Sequence, residues 1–253
     1  MSRPCSKLRS SIPSDPRLLA TLLLGLLAFF GNGAIAAEEA PLRAFTASYE
    51  LTRSGLKLGT AELSLEPVEK TWRWRLTTRP SGLVAMVTSK KPYSETTFIR
   101  EQDQIRLQQI LLTDENDRNN LESASFDWKS RQMKVLRKGK HSSVKLTTEV
   151  YDYQSIHLLA RAMQLQQLNE MTFTFYRKGK LVKSRLVYRG KSSIKVGKRN
   201  TNANIFVQTI TGSKTTVKYS YGLKNPLLPL LVESRKGDDT PSIMTLSKVD
   251  WHS

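Results

Sequence analysis

Cysteine is almost absent from this sequence of 253 residues, and the single one, Cys5, precedes an apolar run near the amino terminus. A chain trimmed after that run would contain no thiol, which excludes disulfides, thiolate catalysis and cysteine-ligated metal. Histidine is scarce as well, since His141, His157 and His252 are far apart and form no H-x-x-x-H or H-E-x-x-H pattern. We therefore expect no metal and no other cofactor.

Sequence patterns that carry enzymatic chemistry are also missing. There is no G-x-S-x-G motif, and Ser155 and His157 lie two residues apart on a predicted helix, where they do not face each other. We interpret His157 as an ordinary polar residue on the helix flank. The carboxylates available to a glycan hydrolase are Glu95, Asp103, Asp127 and Asp152. None has a setting that marks it as a general acid or base, which favours a protein that is not an enzyme.

Long apolar runs are absent except at residues 18–30, which read LLATLLLGLLAFF. Basic residues precede this run, and the small-residue sequence Ala34-Ile35-Ala36 follows it. This layout predicts a signal peptide over residues 1–36, with cleavage after Ala36 and export to the periplasm. The alternative is an uncleaved leader that anchors the protein in the inner membrane.

Acidic residues are outnumbered, because the chain has 40 lysines and arginines against 22 aspartates and glutamates. The leader accounts for +3 of the net charge of +18, so residues 37–253 keep +15. In an exported protein the abundant anions are lipid head groups, lipopolysaccharide phosphates and wall polymers. We therefore expect no nucleic-acid partner, and we interpret residues 37–253 as a single, monomeric domain.

Alternation of apolar and polar residues dominates the chain after Arg43, as in AFTASYEL at 44–51 and TWRWRL at 71–76. This two-residue period predicts strands with one face on a core and the other in water. Turn residues recur at hairpin spacing, most clearly around Gly179 and Gly212. About a dozen such strands predict an all-β, mainly antiparallel fold, a partly open curved sheet or barrel.

One segment breaks this pattern and predicts an amphipathic helix over residues 153–168. Its apolar residues follow the i, i+3, i+4, i+7 spacing, and Asp152 precedes it as a cap for the first turn. In an all-β chain such a helix covers a sheet face or plugs a barrel mouth. Residues 81–87 are either a second helical turn or a loop that folds inward.

Two groups of apolar residues are candidates for lining a ligand cavity. Trp72 and Trp74 share one strand face, and LKNPLLPLLV at 223–232 carries leucines on a stretch kinked by Pro226 and Pro229. The alternatives are that the aromatic residues fill the core and that the leucine stretch is an edge strand. The candidate lining residues are Trp72, Trp74, Leu83, Met86, Leu227, Leu228, Leu230 and Leu231.

Basic residues concentrate in residues 129–145 and 177–199. If the strands of these segments are neighbours, one wall of the sheet is densely positive and attracts an anionic envelope component. The alternative is a solvated outer face that guards strand edges against aggregation. The candidate contact residues are Arg137, Lys138, Lys140, Lys178, Lys180, Arg189 and Lys191.

Seven segments, in order along the chain, resemble a known family. They are ASYE at 47–50, GLKLGTAELSL at 55–65, SGL at 81–83, SETTF at 94–98, FDW at 126–128, DYQS at 152–155 and LPLLVE at 228–233. Together they resemble the exported bacterial domain of unknown function numbered 3108. The resemblance implies a β-rich periplasmic protein of Gram-negative bacteria and supplies no established activity or site. Tyr153 stands where that family has a proline, and Tyr219 or Tyr221 where it has a tryptophan.

These observations favour a non-enzymatic periplasmic protein that binds a hydrophobic or anionic envelope component such as a lipid. The acyl chain would lie inside the curved sheet, as in lipocalins and periplasmic lipoprotein carriers, and the head group near the basic strands. The alternative is a cell-envelope scaffold or adaptor that docks to a protein or wall assembly and has a filled interior. A glycan hydrolase would need two carboxylates that converge in a cleft.

Overall fold

Fifteen strands form one continuous sheet in the computed structural model, which describes residues 42–101, 104–114 and 116–252. The predicted signal peptide lies outside these residues. The strands are β1 Phe45–Arg53, β2 Leu56–Val68, β3 Thr71–Pro80, β4 Pro92–Glu101, β5 Gln104–Asp114, β6 Asp117–Asp127, β7 Gln132–Arg137, β8 Lys140–Lys145, β9 Val150–Tyr151, β10 Glu170–Arg177, β11 Lys180–Val196, β12 Arg199–Ile210, β13 Thr215–Gly222, β14 Asn225–Lys236 and β15 Ser242–Trp251. The helices are α1 Leu83–Val87 and α2 Ile156–Leu165.

The strand order is β8-β7-β6-β5-β4-β3-β2-β1-β15-β14-β13-β12-β11-β10-β9. Neighbours are antiparallel except for the short parallel pair of β9 and β10. The order is linear, so the sheet is not closed into a barrel by backbone pairing. The predicted all-β fold with a partly open curved sheet is therefore confirmed, as are the hairpins around Gly179 and Gly212.

Alternation in the sequence becomes alternation in burial. On β2, Ala61, Leu63 and Leu65 are buried, whereas Glu62 is exposed and Ser64 is half-buried. Successive side chains of a strand point to opposite faces, so a strand of this type places one face on the core. The tight turns use residues with positive φ, such as Lys138-Gly139 and Lys178-Gly179, as the two-residue hairpin turns of twisted sheets require.

The helix α2 lies within the concave side of the sheet and is buried around most of its circumference. Its predicted apolar set, Ile156, Leu159, Ala160 and Met163, is buried throughout. The helix is shorter than predicted, but Asp152 caps the preceding turn, because the Ser155 amide donates a 2.8 Å hydrogen bond to its carboxylate. No helix in the described ranges is long and apolar enough to cross a membrane.

Contacts of α2 reach both halves of the sheet. His157 stacks on Trp74 of β3, with ring centroids 5.4 Å apart. The Gln164 side-chain amide donates to the carbonyl of Pro226 on β14 and accepts a 2.7 Å hydrogen bond from the Asn204 amide on β12. The interior is therefore occupied by the helix and its aromatic neighbours. Side chains that pack against the helix therefore occupy this part of the interior, next to a pocket lined by Met163 and Phe206.

Strands near opposite ends of the sheet order, β10 and β7, meet through side chains without a backbone ladder. Tyr176 follows Phe175 on β10 and therefore points to the opposite face, yet only 2% of it is exposed. Its cover comes from the other end of the sheet, where Val135 and Arg137 of β7 lie against the turn at Gly179. We call this junction the seam.

A long hairpin leaves the sheet at Gly190, where φ is +89° and the register of β11 against β12 shifts. Strand β12 pairs with β13 only from Ala203 onward, so residues 191–202 pair only with each other. We call residues 191–202 the arm. Because β11 and β15 approach each other although three strands separate them in the sheet, the arm folds back over the sheet.

Candidate functional site

The arm covers a row of residues on the outer face of the sheet. Phe206 of β12 belongs to the core, so its neighbour Ile205 points to the outward face. Across the sheet from Ile205 lie Ser220 of β13 and, on the next strand, Leu231 of β14. Ile205 and Ser220 are both buried even though they lie on the outward face. Outward residues can be buried only if another element covers them, and the arm, which folds back toward β15 and lies beside Leu231, is the element near this row.

A groove of about 1110 Å³ lies between the tip of the arm and strands β14, β15 and β1. Its apolar lining residues are Val196, Leu231, Ile243, Leu246 and Val249. Its cationic lining residues are Lys195, Lys198, Arg199 and Lys248. The groove therefore combines a partly apolar floor, in which Leu231 and Ile243 lie beside Thr245 and Thr52, with a positively charged rim.

The rim cations differ in how they are paired. Lys248 forms a 2.7 Å ion pair with Asp250, and Glu50, the acidic residue that lines the groove, is paired with Lys57 at 3.0 Å. Lys195, Lys198 and Arg199 have no ion pair with any carboxylate in the described ranges. These three cations on the arm are therefore available to an anion.

A second pocket, of about 550 Å³, opens at the carboxyl end of α2. Its polar lining includes Gln164 and Asn204, which bond to each other, and Tyr188, whose hydroxyl donates to the Asn204 side chain. Lys191 stands at its rim. Two of its four side-chain amides, those of Gln164 and Asn204, are bonded to each other, and Lys191 is its one cationic lining residue, whereas the groove has four.

A buried polar cluster anchors the start of α2 to the sheet. Asp152 accepts hydrogen bonds from the Thr96 hydroxyl and from the Ser155 amide and hydroxyl. Burial raises the pKa of Asp152 above its ordinary value. His157 is hydrogen-bonded to the Tyr221 hydroxyl at 2.8 Å, and burial lowers the pKa of His157 to about 3. The expectation of a flank position for His157 is therefore wrong, because the sheet surrounds the helix.

The other candidate carboxylates also have structural partners. Glu95 is paired with Arg75 at 3.3 Å and accepts a hydrogen bond from Tyr93. Asp127 is exposed and accepts hydrogen bonds from the amides of the following turn, which lower its pKa. Asp103 lies outside the described residues. Among the described residues, no group of three His, Cys, Asp or Glu side chains could hold a metal ion.

The predicted cavity residues do not converge on one space. Trp74, Leu227 and Leu228 are buried in the core. Trp72 packs against that core, as the alternative interpretation of the aromatic residues expects. Leu230 is half-buried, with its side chain against Gly222. Among these eight candidates, Leu231 is the residue that lines the groove.

The two remaining cavity candidates, Leu83 and Met86, belong to α1. Residues 83–87 form a helical turn rather than an inward loop, and Met86 is 82% exposed. Its assignment to a cavity is corrected accordingly, because the turn projects from the connection between β3 and β4. The side chain of Leu83 lies outside the described part of the chain.

The leucine stretch at 223–232 is not an edge strand, because β14 lies between β13 and β15. Its prolines are tolerated since β14 pairs with β15 only from Leu231 to Ser234, and its register against β13 shifts around Tyr221. The freed carbonyl of Pro229 instead accepts a 2.9 Å hydrogen bond from the Tyr49 hydroxyl.

Five of the seven predicted basic residues are brought together at the seam. The turn at Gly179 lies against Arg137, which places the Lys138-Gly139 and Lys178-Gly179 turns side by side. The gathered residues are Arg137, Lys138, Lys140, Lys178 and Lys180. Arg189 and Lys191 lie about 30 Å or more away along β11, at about 3.3 Å per residue, and do not join this group.

The sequence indicated the basic segment 177–199, which contains Lys195, Lys198 and Arg199, but it did not predict the groove, although the strands of its floor carried a signal. Leu230-Leu231-Val232 and Ile243-Met244 place apolar residues on both faces of their strands. Such runs indicate strands that are covered on both sides. The sequence does not show which segment provides the outer cover.

Comparison with known proteins places this fold in context. Residues 45–240 match the model of a family described as Protein of unknown function (DUF3108). A β-barrel-like protein of the domain of unknown function DUF1849 from Brucella abortus is similar in structure, with a TM-score of 0.56 and 13% identity over 84% of this chain and 99% of that one. At this identity the likeness concerns the fold alone. No curated protein of similar sequence is found.

Two further solved structures overlap weakly. A protein with a YmcC-like fold from Bacteroides fragilis has a TM-score of 0.29 at 5% identity and covers 83% of this chain and 96% of that one. The MucA/MucB complex of Pseudomonas aeruginosa has a TM-score of 0.18 at 9% identity and covers 82% of this chain and 89% of that one. Neither overlap supports an argument about this chain.

Proposed function

We propose a function for this chain, which belongs to the DUF3108 family of proteins of unknown function: it binds an anionic amphiphile in the groove beneath the arm. The ligand class is an acyl chain that ends in a phosphate or a carboxylate. The observation that carries the proposal is an apolar floor on the outer face of the sheet, next to three cations without carboxylate partners in the described ranges.

The floor of the groove suits a hydrocarbon chain. Leu231 and Ile243 are half-buried beside the arm, on a sheet face that normally carries polar residues. Transfer of an acyl chain onto such a surface removes apolar area from water at about 25 cal/mol per Å². The volume of about 1110 Å³ is comparable with that of pockets that hold small organic ligands, about 300–1,000 Å³.

The rim of the groove suits the head group. Arg199 offers a planar fork of donors that matches a phosphate or carboxylate, and Lys195 and Lys198 add two ammonium groups. All three lie near the tip of one hairpin, so they can approach the same anion. This arrangement places the charged end of the ligand at the arm and its chain along β14 and β15.

The proposal includes a binding role without catalysis and a periplasmic location. Glu95, Asp127 and Asp152 each have a local structural partner, which leaves little support for paired acid and base groups. The layout of residues 1–36 supports export, and export would expose the protein to lipids that carry anionic head groups.

A binding titration tests the proposal. The protein is exported from its full-length precursor, purified, extracted with organic solvent and titrated with a fluorescent fatty acid and with lysophosphatidic acid. The variant Lys195→Gln/Lys198→Gln/Arg199→Gln should weaken binding of both anions about tenfold or more. Its matched control, Lys70→Gln/Lys90→Gln/Lys214→Gln, removes three exposed lysines outside the groove and should bind like the wild type.

One further variant, compared with the triple arm variant, separates the floor from the rim. Ile243→Asp places a charge on the apolar floor and should weaken binding of the fatty acid and of an uncharged fatty alcohol, whereas the triple arm variant should spare the alcohol. Absence of binding to the wild type, or equal binding by the triple variant and the wild type, would contradict the proposal.

The packed interior also favours a second candidate function, an envelope scaffold or adaptor. Strand β8, Lys140–Lys145, is an end strand of the sheet order, and five of its six residues are exposed. An open strand edge can accept a strand from a partner protein. Cross-linking in intact cells through a photoreactive residue at Ser142 would capture a specific envelope protein if this function holds, and a residue at Thr46 serves as its control.

A further inference from the structure

The seam brings two lysine-glycine turns together from opposite ends of the sheet. Residues 137–140 join β7 to β8, and residues 177–180 join β10 to β11. A Cβ atom built on Gly179 would lie 3.2 Å from Cδ of Arg137 and 3.3 Å from a methyl group of Val135. The backbone of the second turn therefore rests on the side chains of the first hairpin. We call the two turns together the paired lysine turns.

Arg137 has a structural role at this junction. Its Nε donates a 2.6 Å hydrogen bond to Glu122, and the same carboxylate accepts a 2.9 Å hydrogen bond from the Tyr176 hydroxyl. Both oxygens of the Glu122 carboxylate therefore accept hydrogen bonds, one from Arg137 and the other from Tyr176. The charge of Arg137 is balanced locally, so it adds little to the field outside the seam.

The four lysines of the turns are in a different situation. Lys138, Lys140, Lys178 and Lys180 are all exposed. None of them forms an ion pair with a carboxylate in the part of the chain that the structure describes. Their charges lie at the tips of two adjacent hairpins, where they repel one another unless an anion is present.

We propose that the paired lysine turns dock this protein on an anionic lipid bilayer. The turn at Gly179 lies against Arg137, next to Lys138, so the two turns present their exposed lysines in one neighbourhood. Lysine is a compact, strongly hydrated cation that is attracted to an anionic membrane surface without a shaped site. This docking surface goes beyond the groove, and it lies on a different wall of the sheet.

The sheet order separates the two sites. The seam joins β10 to β6 and β7, near the two ends of the order, whereas the floor of the groove lies on β14, β15 and β1, near its middle. In a rolled sheet, the middle strands lie across from the meeting ends. Docking through the turns therefore leaves the groove free, and the two activities can be tested independently.

Vesicle co-sedimentation tests the docking proposal with the protein exported from its full-length precursor. The vesicles contain phosphatidylcholine alone or phosphatidylcholine with phosphatidylglycerol. The wild type should bind the anionic vesicles, bind the neutral ones at least tenfold less, and lose binding as the salt concentration rises. Each lysine near such a surface contributes about a fivefold increase in partitioning.

Two quadruple variants with equal net charge locate the surface. Lys138→Gln/Lys140→Gln/Lys178→Gln/Lys180→Gln should reduce partitioning into anionic vesicles at least tenfold. Lys70→Gln/Lys90→Gln/Lys214→Gln/Lys224→Gln changes exposed lysines in four separate connections and should reduce it less than threefold. Circular dichroism confirms that both variants fold.

Two results would overturn the docking proposal. They are equal losses in the two quadruple variants, and absence of anionic-vesicle binding by the wild type, with or without binding of soluble inorganic polyphosphate. The triple arm variant used for the groove should retain vesicle binding, so failure of the groove and failure of the docking surface give different results.

Discussion

The hydroxyl of Tyr176 on β10 donates a 2.9 Å hydrogen bond to the carboxylate of Glu122 on β6, and this contact joins two strands near opposite ends of a sheet that does not close through its backbone. Strand edges that are left open invite association with other chains. In this protein side chains connect β10 to β6 and β7: Tyr176 is buried there, and Glu122 also binds Arg137, whereas the edge of β8 stays exposed.

Tyr176→Phe removes this hydrogen bond and keeps the ring. Because the acceptor is a carboxylate, we expect the free energy of unfolding to fall by about 2 kcal/mol. Urea denaturation measures the change. Tyr188→Phe is the control, since its half-buried hydroxyl bonds to a neutral amide at 3.2 Å and should cost less than about 1 kcal/mol. Equal losses in the two variants would show that the Tyr176 contact does not hold the seam.

Gly59→Ala should be among the most destabilising single changes in the chain. A Cβ at Gly59 would lie 2.2 Å from the carbonyl oxygen of Arg79 on the neighbouring strand, so the backbone itself must move. We expect a loss of about 3 kcal/mol or more in the free energy of unfolding. In Gly55→Asn the new side chain meets open space, and asparagine tolerates the φ of +76° at that turn. A small effect of Gly59→Ala would contradict the close approach of β2 and β3.

Asp152→Asn and Asp152→Ala should have different effects on stability. Burial raises the pKa of Asp152, so the folded state holds this proton up to a higher pH than the unfolded state does. The stability that this provides is present below the unfolded pKa and is lost as the pH rises through the folded pKa. At pH 7 we therefore expect Asp152→Asn, which keeps an acceptor for the Ser155 amide, to be at least as stable as the wild type.

Asp152→Ala loses that acceptor, so its free energy of unfolding should be about 2 kcal/mol lower than that of the wild type. Thermal and urea denaturation of both variants between pH 4 and pH 8 measure these differences. A larger loss for the asparagine variant than for the alanine variant at pH 7 would contradict this account of the helix cap.

Because His157 is buried in its neutral form, we expect the free energy of unfolding to fall in acid. Burial lowers its pKa to about 3 from an ordinary value of 6.5, so the unfolded state binds a proton that the folded state excludes. Stability should therefore fall as the pH drops below about 6.5, by about 1.4 kcal/mol per pH unit from this group. In His157→Gln this contribution is absent. Between pH 6.5 and pH 5 the wild type should lose about 2 kcal/mol more than the variant, and parallel losses would contradict a neutral, buried His157.

Local patterns predicted most of the elements correctly. The alternation at Ala61, Leu63 and Leu65 identified β2 and its inward face, because strand periodicity depends only on neighbours in the sequence. Asp152 indicated the start of the helical region for the same reason, since a cap bonds to residues within one turn. The turns at Gly55 and Gly179 have the positive φ that their sequences indicate.

Non-local contacts could not be predicted in this way. The burial of His157 depends on Trp74 and Tyr221, which lie 83 residues before it and 64 residues after it. The groove depends on the arm folding at Gly190 over β15, and nothing in residues 191–202 specifies which strands they cover. The clustering of Lys138 with Lys178 follows from how far the sheet rolls, which is a property of all its strands.

The most direct test of the groove is to locate a bound acyl chain. A crystal of the protein grown with a fatty acid brominated near its methyl end gives an anomalous signal at the bromine. The account predicts this signal between the arm and β15, beside Leu231 and Ile243, with the carboxylate near Arg199. A signal in the interior beside Trp74 and Leu228 would contradict it.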